Sequence, residues 1–122
     1  HGPDAVVPAH IEDSKAQCLL LPQSAEGLSL DVLMQELAAR QCNEILVESG
    51  PRLAGAFLRV GLLDELVVYM APALLGSGAR PLLELPLSAM ADKVSLQLED
   101  ARRVGEDWRF IARPLVAESA EA

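Results

Sequence analysis

Aromatic side chains are scarce. Trp108, Tyr69, Phe57 and Phe110 make up 3% of the 122 residues, so Leu, Val and Ala must fill the core. Histidine occurs only as His1 and His10, both in a polar lead-in, which argues against a metal site or a His-based catalytic triad. The two cysteines, Cys18 and Cys42, are too far apart for a CxxC or metal-type pair. They read as reduced core thiols of a cytoplasmic protein, with a disulfide between them as the alternative. Cationic residues are outnumbered, 10 Lys and Arg against 18 Asp and Glu, for a net charge of −8. Nucleic acid and anionic membrane surfaces are poor partners for such a chain. An anionic ligand stays open wherever local geometry reverses the average. No apolar run approaches the roughly 20 residues of a membrane span, and no signal-peptide pattern opens the chain. GxxxxGK[ST], GxSxG and a full Rossmann fingerprint are absent as well.

What is present is a large apolar load, 51% hydrophobic residues against 23% charged, in a length that suits one domain. Such a composition excludes a disordered linker and points to a globular α/β or α+β chain. The chain opens His1-Gly2-Pro3 without an initiator Met, as expected if residues were removed or if it is a piece of something longer. Residues 1–15 read as an irregular lead-in. Cys18-Leu19-Leu20-Leu21, stopped by Pro22, reads as a short buried strand, and Gln23 to Gly27 as loop. Ser29 is a good cap for a helix reaching about Arg40, with Leu30, Leu33, Met34, Leu37 and Ala38 at helical spacing and Asp31 in its first turn.

A second strand is expected over 44–48. Ser49-Gly50-Pro51 then turns into a second helix, with Pro51 at its first position, Leu53, Ala56, Phe57 and Val60 as its buried stripe, and Gly61 just beyond its end. Leu66 to Met70 lacks alternation, so both faces of that strand should be covered, as in a parallel or central strand. The succession strand, helix, strand, helix, strand is a doubly wound pattern. Ala71 to Pro86 reads as loop. Val94, Leu96 and Leu98 alternate with polar residues, Trp108 to Ala112 is strand-like, and Gly105-Glu106-Asp107 between them should be the tip of an antiparallel hairpin. Residues 115–122 read as a disordered tail.

The strongest local signal for chemistry is Val47-Glu48-Ser49-Gly50-Pro51-Arg52-Leu53-Ala54-Gly55, where a strand ends, glycine turns the chain, and a helix begins. Free N–H groups and the positive helix end suit an anion there, and Gly50 lets a phosphate approach the backbone. Gly55 lets the helix approach a neighbour. A tight turn with no ligand fits the same residues equally well. Glu48, at the strand end, can accept hydrogen bonds from ligand hydroxyl or amine groups, or it can cap the helix that follows. Arg52 and Arg59 read as solvated, and Arg80 as a member of a surface ion pair. No side chain stands out as a general acid or base, so no catalytic residue and no metal ligand is assigned. That silence suits hydride transfer, in which a cofactor does the chemistry and the protein positions it.

The run VESGPRLAGAFLRVGLLDELVVYMAPALLGSGARPL, from Val47 to Leu82, closely resembles the C-terminal reductase domain of the bifunctional riboflavin-biosynthesis deaminase/reductase family. Looser similarity reaches back through the helix at 30–40 and forward to the hairpin at 104–105. The resemblance implies a dihydrofolate-reductase-like fold, a three-layer doubly wound sheet with a C-terminal antiparallel hairpin, truncated at its N-terminus. It implies NADPH-dependent reduction of 5-amino-6-(5-phosphoribosylamino)uracil, a small-molecule substrate, to the ribitylamino product. It also places Glu48 on the substrate and Gly50, Pro51, Arg52, Leu53, Ala54, Gly55 and Ala56 at the cofactor phosphate. Ser49 departs from the family's commoner second glycine.

Zinc belongs to the family's upstream deaminase domain, and no HxE with a partner PCxxC occurs in this chain. The implied lack of the first sheet strands would uncover an apolar edge and favour a homodimer or higher oligomer. Two alternatives remain at this point. One is a related reductase acting on another pteridine- or pyrimidine-like substrate. The other is a catalytically silent assembly module of the same fold.

Overall fold

The computed structural model describes residues 2–24 and 27–115. The chain divides into two compact units, 1–46 and 47–122. In the first unit, the lead-in expected to be irregular contains one helical turn, α1 (Ala9–Glu12), entered from Pro8. Where loop is expected from Gln23 to Gly27, a small antiparallel ladder pairs β1 (Gln23–Ser24) with β2 (Gly27–Leu28).

Helix α2 (Leu30–Ala39) forms as expected. The Ser29 hydroxyl accepts from the Val32 N–H at 3.4 Å, and the Ser29 carbonyl takes the first helical bond from Leu33 at 3.1 Å. Leu30 is buried, Leu33, Met34 and Leu37 are half-buried, and Ala38 is exposed. Leu21 and Leu30 supply the buried apolar side chains of this unit. At the C-terminal end, the N–H of Gln41 bonds Ala38 and that of Cys42 bonds Leu37, the closure known as a Schellman motif. Gln41 adopts φ 62° to make it, a conformation that usually falls to glycine.

In the second unit, α3 (Pro51–Arg59) starts where the sequence places it, with Gly50 as its N-cap and Pro51 at its first position. It closes by the same motif, with Gly61 N–H on Leu58 and Leu62 N–H on Phe57. Phe57 and Gly55 are buried, whereas Leu53 and Val60, expected in the buried stripe, are exposed.

β3 (Leu66–Met70), β4 (Leu96–Val104) and β5 (Asp107–Pro114) form one antiparallel sheet in the order β3-β5-β4. The expected parallel or central strand at 66–70 is therefore an antiparallel edge, and Val67, Tyr69 and Met70 are exposed. A run without alternation records apolarity on both sides, but not which way its neighbour runs. The expected hairpin is present. Gly105 and Glu106 form a two-residue connection, and Gly105 has the positive φ, 63°, that the first central position of a type II′ turn demands.

The expected strands at 18–21 and 44–48 join no ladder among the described residues. An apolar run becomes a strand only where a second strand supplies the opposite donors and acceptors. A 3-10 turn at Met90–Asp92 was not expected. There one Asp92 carboxylate oxygen accepts from the Ser88 hydroxyl, the Ala89 N–H and the Ser88 N–H at 3.0, 3.0 and 3.2 Å. The Ser88 hydroxyl, then the Ala89 and Ser88 amides, hold the carboxyl below its ordinary pKa by favouring its charged form. Of the expected tail, Leu115 donates to the Ser95 carbonyl at 2.8 Å and so extends the β4–β5 pairing, and 116–122 lie outside the described residues.

Directly opposite residues share a sheet face, so Leu66, Val68, Phe110, Ala112 and Leu98 fall together on one apolar side. Trp108 and Phe110 stack on that side with ring centroids 6.3 Å apart. A bulge at Glu99, between Leu98 and Asp100, turns Asp100 to the opposite face, where it opposes Ile111. One Asp100 oxygen there meets Arg109 Nη2 at 2.9 Å and Arg102 Nε at 3.0 Å, between two arginines that stand opposite each other in the ladder.

Candidate functional site: the turn into α3

Seven of the eight residues assigned from sequence belong to the N-terminal two turns of α3 or its cap, and Glu48 lies two residues upstream. Gly50 is exposed, and a Cβ built on it would meet nothing within 4 Å, so its backbone faces open space. It brings no side-chain cap. The Ser49 hydroxyl makes only a long 3.4 Å contact with the Gly50 carbonyl. Pro51 has no N–H, Ala54 donates to the Gly50 carbonyl at 3.1 Å, and the N–H groups of Arg52 and Leu53 have no acceptor among the described residues. No acidic side chain sits in this first turn. Two open donors and the positive end of the helix thus face solvent together, an arrangement that fits a phosphate.

Glu48 is exposed and forms no hydrogen bond or ion pair among the described residues, so it does not cap α3. Its carboxylate can serve as an acceptor beside the turn. Arg52 is exposed and forms no ion pair among the described residues. Arg59, on the last turn, reaches the Glu84 carbonyl at 3.4 Å. Arg80, expected in a surface ion pair, forms none among the described residues. Leu53 is exposed, Ala54 and Ala56 are half-buried, and Gly55 is buried.

The burial of Gly55 has one cause. The Glu84 backbone crosses the helix at that point, and a Cβ on Gly55 would overlap the Glu84 carbonyl oxygen and lie 3.0 Å from its carbon. The Glu84 N–H donates to the Pro51 carbonyl at 2.9 Å. Sequence reasoning foresaw that Gly55 would admit a neighbour but could not name Glu84, because nothing in Leu82-Leu83-Glu84-Leu85 marks a docking segment.

Cys18 and Cys42 are free and exposed, which corrects the expectation of core thiols. Among the described residues no group of three or more His, Cys, Asp and Glu is placed to hold a metal ion. No helix among them is long and apolar enough to cross a membrane.

Comparison with known proteins gives this geometry its context. Residues 6–110 match the family described as the RibD C-terminal domain. The chain is 48% identical over 102 residues to the riboflavin biosynthesis protein RibD of Escherichia coli K12, covering 79% of this chain and 28% of that protein. It is 31% identical over 83 residues to the 5-amino-6-(5-phosphoribosylamino)uracil reductase of Buchnera aphidicola from Acyrthosiphon pisum, covering 67% of this chain and 40% of that protein. Among solved structures it resembles RibD of Acinetobacter baumannii, with a TM-score of 0.70 and 32% identity over 80% of this chain and 27% of that one. The mixed helices and antiparallel sheet agree with the dihydrofolate-reductase-like α/β fold expected from sequence. The chain thus spans under a third of the RibD proteins named here, and it belongs to the RibD C-terminal domain family.

Proposed function

We propose that this chain is the C-terminal part of a cytoplasmic reductase domain that reduces the ribosyl group of 5-amino-6-(5-phosphoribosylamino)uracil to the ribitylamino product. NADPH, when bound, supplies the hydride to C1′ of the sugar. The observation that carries the reading is the start of α3, without a side-chain cap, beside the exposed Glu48 carboxylate, which has no partner among the described residues. In this reading the Arg52 and Leu53 N–H groups bind cofactor phosphate across the open backbone of Gly50, and Glu48 accepts hydrogen bonds from the substrate and orients it. The match to the RibD C-terminal domain family supports it, as does the name of the Buchnera relative.

Beyond small molecules, the partner in this reading is a second copy of the chain. β3 is an edge strand, and Met70, Trp108, Leu96 and Leu98 expose the apolar side of the sheet, which supports pairing with a second copy. A monomer by light scattering at micromolar concentration would remove the dimer. The functional reading is tested by titrating NADPH while following Trp108 emission and nicotinamide fluorescence. Saturable binding is expected, and Gly50→Asp should weaken it at least about tenfold, because a carboxylate would occupy and repel the phosphate position. Unchanged affinity in that variant removes the site assignment.

A further inference from the structure

The two long helices begin differently. α2 is capped by the Ser29 hydroxyl, which occupies one of its N-terminal donors. α3 has no such cap, since Gly50 has no side chain and Ser49 makes only a long contact to a carbonyl. A glycine cap leaves the first-turn donors without a side-chain acceptor and secures the helix start somewhat less firmly than Ser, Thr, Asp or Asn would. Something else must hold it if it is to present fixed donors.

The Glu84 backbone supplies the hold. Its N–H bonds the carbonyl of Pro51 in the first turn, its carbonyl accepts from the Arg59 guanidinium in the last, and between these points it lies against the bare face of Gly55. The contacts span the helix from end to end. They engage a carbonyl and a side chain, and they leave the Arg52 and Leu53 N–H groups open. A side-chain cap would have used one of those donors. A strap that grips the carbonyl side stabilises the turn without occupying them.

We propose that the Glu84 segment is a strap that sets the first turn of α3 for an anionic ligand, with Gly55 and Arg59 as its positioning residues. The ligand part of the proposal rests on the nucleotide reading of the turn. Gly55, which the resemblance places at the cofactor phosphate, is buried beneath Glu84, so in this proposal neither residue touches the ligand. Gly55 acts by having no Cβ, and Arg59 acts through the Glu84 carbonyl about two turns from the open donors.

The test compares the unsubstituted chain with Arg59→Met, Arg59→Lys and Gly55→Ala. Three quantities are read: hydrogen exchange at the Glu84 amide, backbone order over 50–54, and the Kd for NADPH. Arg59 is exposed, so Arg59→Met should leave the unfolding midpoint in place. It should speed Glu84 exchange, loosen 50–54 and weaken NADPH about fivefold. Arg59→Lys, which keeps a charged donor, should restore most of the affinity. Gly55→Ala should show the same pattern more strongly, because its Cβ displaces the strap.

Unchanged Glu84 exchange and unchanged order at 50–54 in both Arg59→Met and Gly55→Ala would overturn the strap. A loosened turn with unchanged NADPH affinity would overturn its positioning role and leave the nucleotide site standing. Failure of the unsubstituted chain to bind NADPH would instead overturn the proposed function. The strap would then stand or fall on the exchange and order measurements alone.

Discussion

The two compact units hold comparable helices but differ in what they do with apolar extended runs. In the second unit, Leu66 to Met70 finds β5 and pairs along its whole length. In the first, Cys18 to Leu21 reads much the same in sequence yet joins no ladder among the described residues, whose pairing there is two residues against two. The helices α2 and α3, by contrast, start within a residue of the expected positions and close with the same pair of backbone bonds. The lesson is one of range. A helix satisfies its backbone within four residues, whereas a strand depends on groups supplied from elsewhere.

The largest effect should come from removing the buried aromatic anchor of the second unit. Phe57→Ala should cost about 3 kcal/mol in urea unfolding followed by Trp108 emission, which reports from β5 in the same unit. A cost below about 1 kcal/mol would mean that the sheet, and not α3, carries that unit.

Next comes the sheet's one shared carboxylate. Asp100→Ala should cost about 2 kcal/mol, since Arg102 and Arg109 would then oppose each other with no counter-charge. Arg109 is the more affected, because only 19% of its side chain is accessible and its buried Nε already lacks a partner among the described residues. An unchanged urea midpoint would show that solvent replaces the pair.

The comparison is sharpened in the first unit by Gln41→Gly, which relieves the left-handed backbone at the end of α2. A gain of about 1 kcal/mol is expected, less the extra entropy glycine has when unfolded, and a loss would mean that the Gln41 side chain contributes packing.

The smallest effect is the titration of Asp92. Its pKa is lowered in the folded chain, so its contribution is present above the ordinary aspartate value and is lost as pH falls through the folded value. NMR titration should find its midpoint below that of Asp92 in the unfolded chain, and Ser88→Ala should bring it back up. An ordinary value in the unsubstituted chain would show that the Ser88 and Ala89 bonds do not persist in solution.

Much of the candidate site was legible because its signals are local. Gly50 before Pro51, a helix of the right length and Gly61 beyond its end are each readable from a few neighbouring residues. Glu84 was not legible, since its role depends on where a loop of irregular chain returns. The exposure of Cys18, Cys42, Leu53 and Val60 was missed for a related reason. Periodicity tells which side chains are apolar, but covering them takes a partner surface that the sequence does not announce.

By itself the sequence determined the two long helices, the hairpin at Gly105 and the open turn at Gly50, all of which rest on dihedral preferences and bonds within a few residues. Tertiary structure alone decided the antiparallel edge position of β3, the strap at Glu84 and the bulge at Glu99 that turns Asp100 towards Arg109. The reason is that register and crossing geometry are set by pairing between distant segments, and a one-residue shift sends every following side chain to the other face.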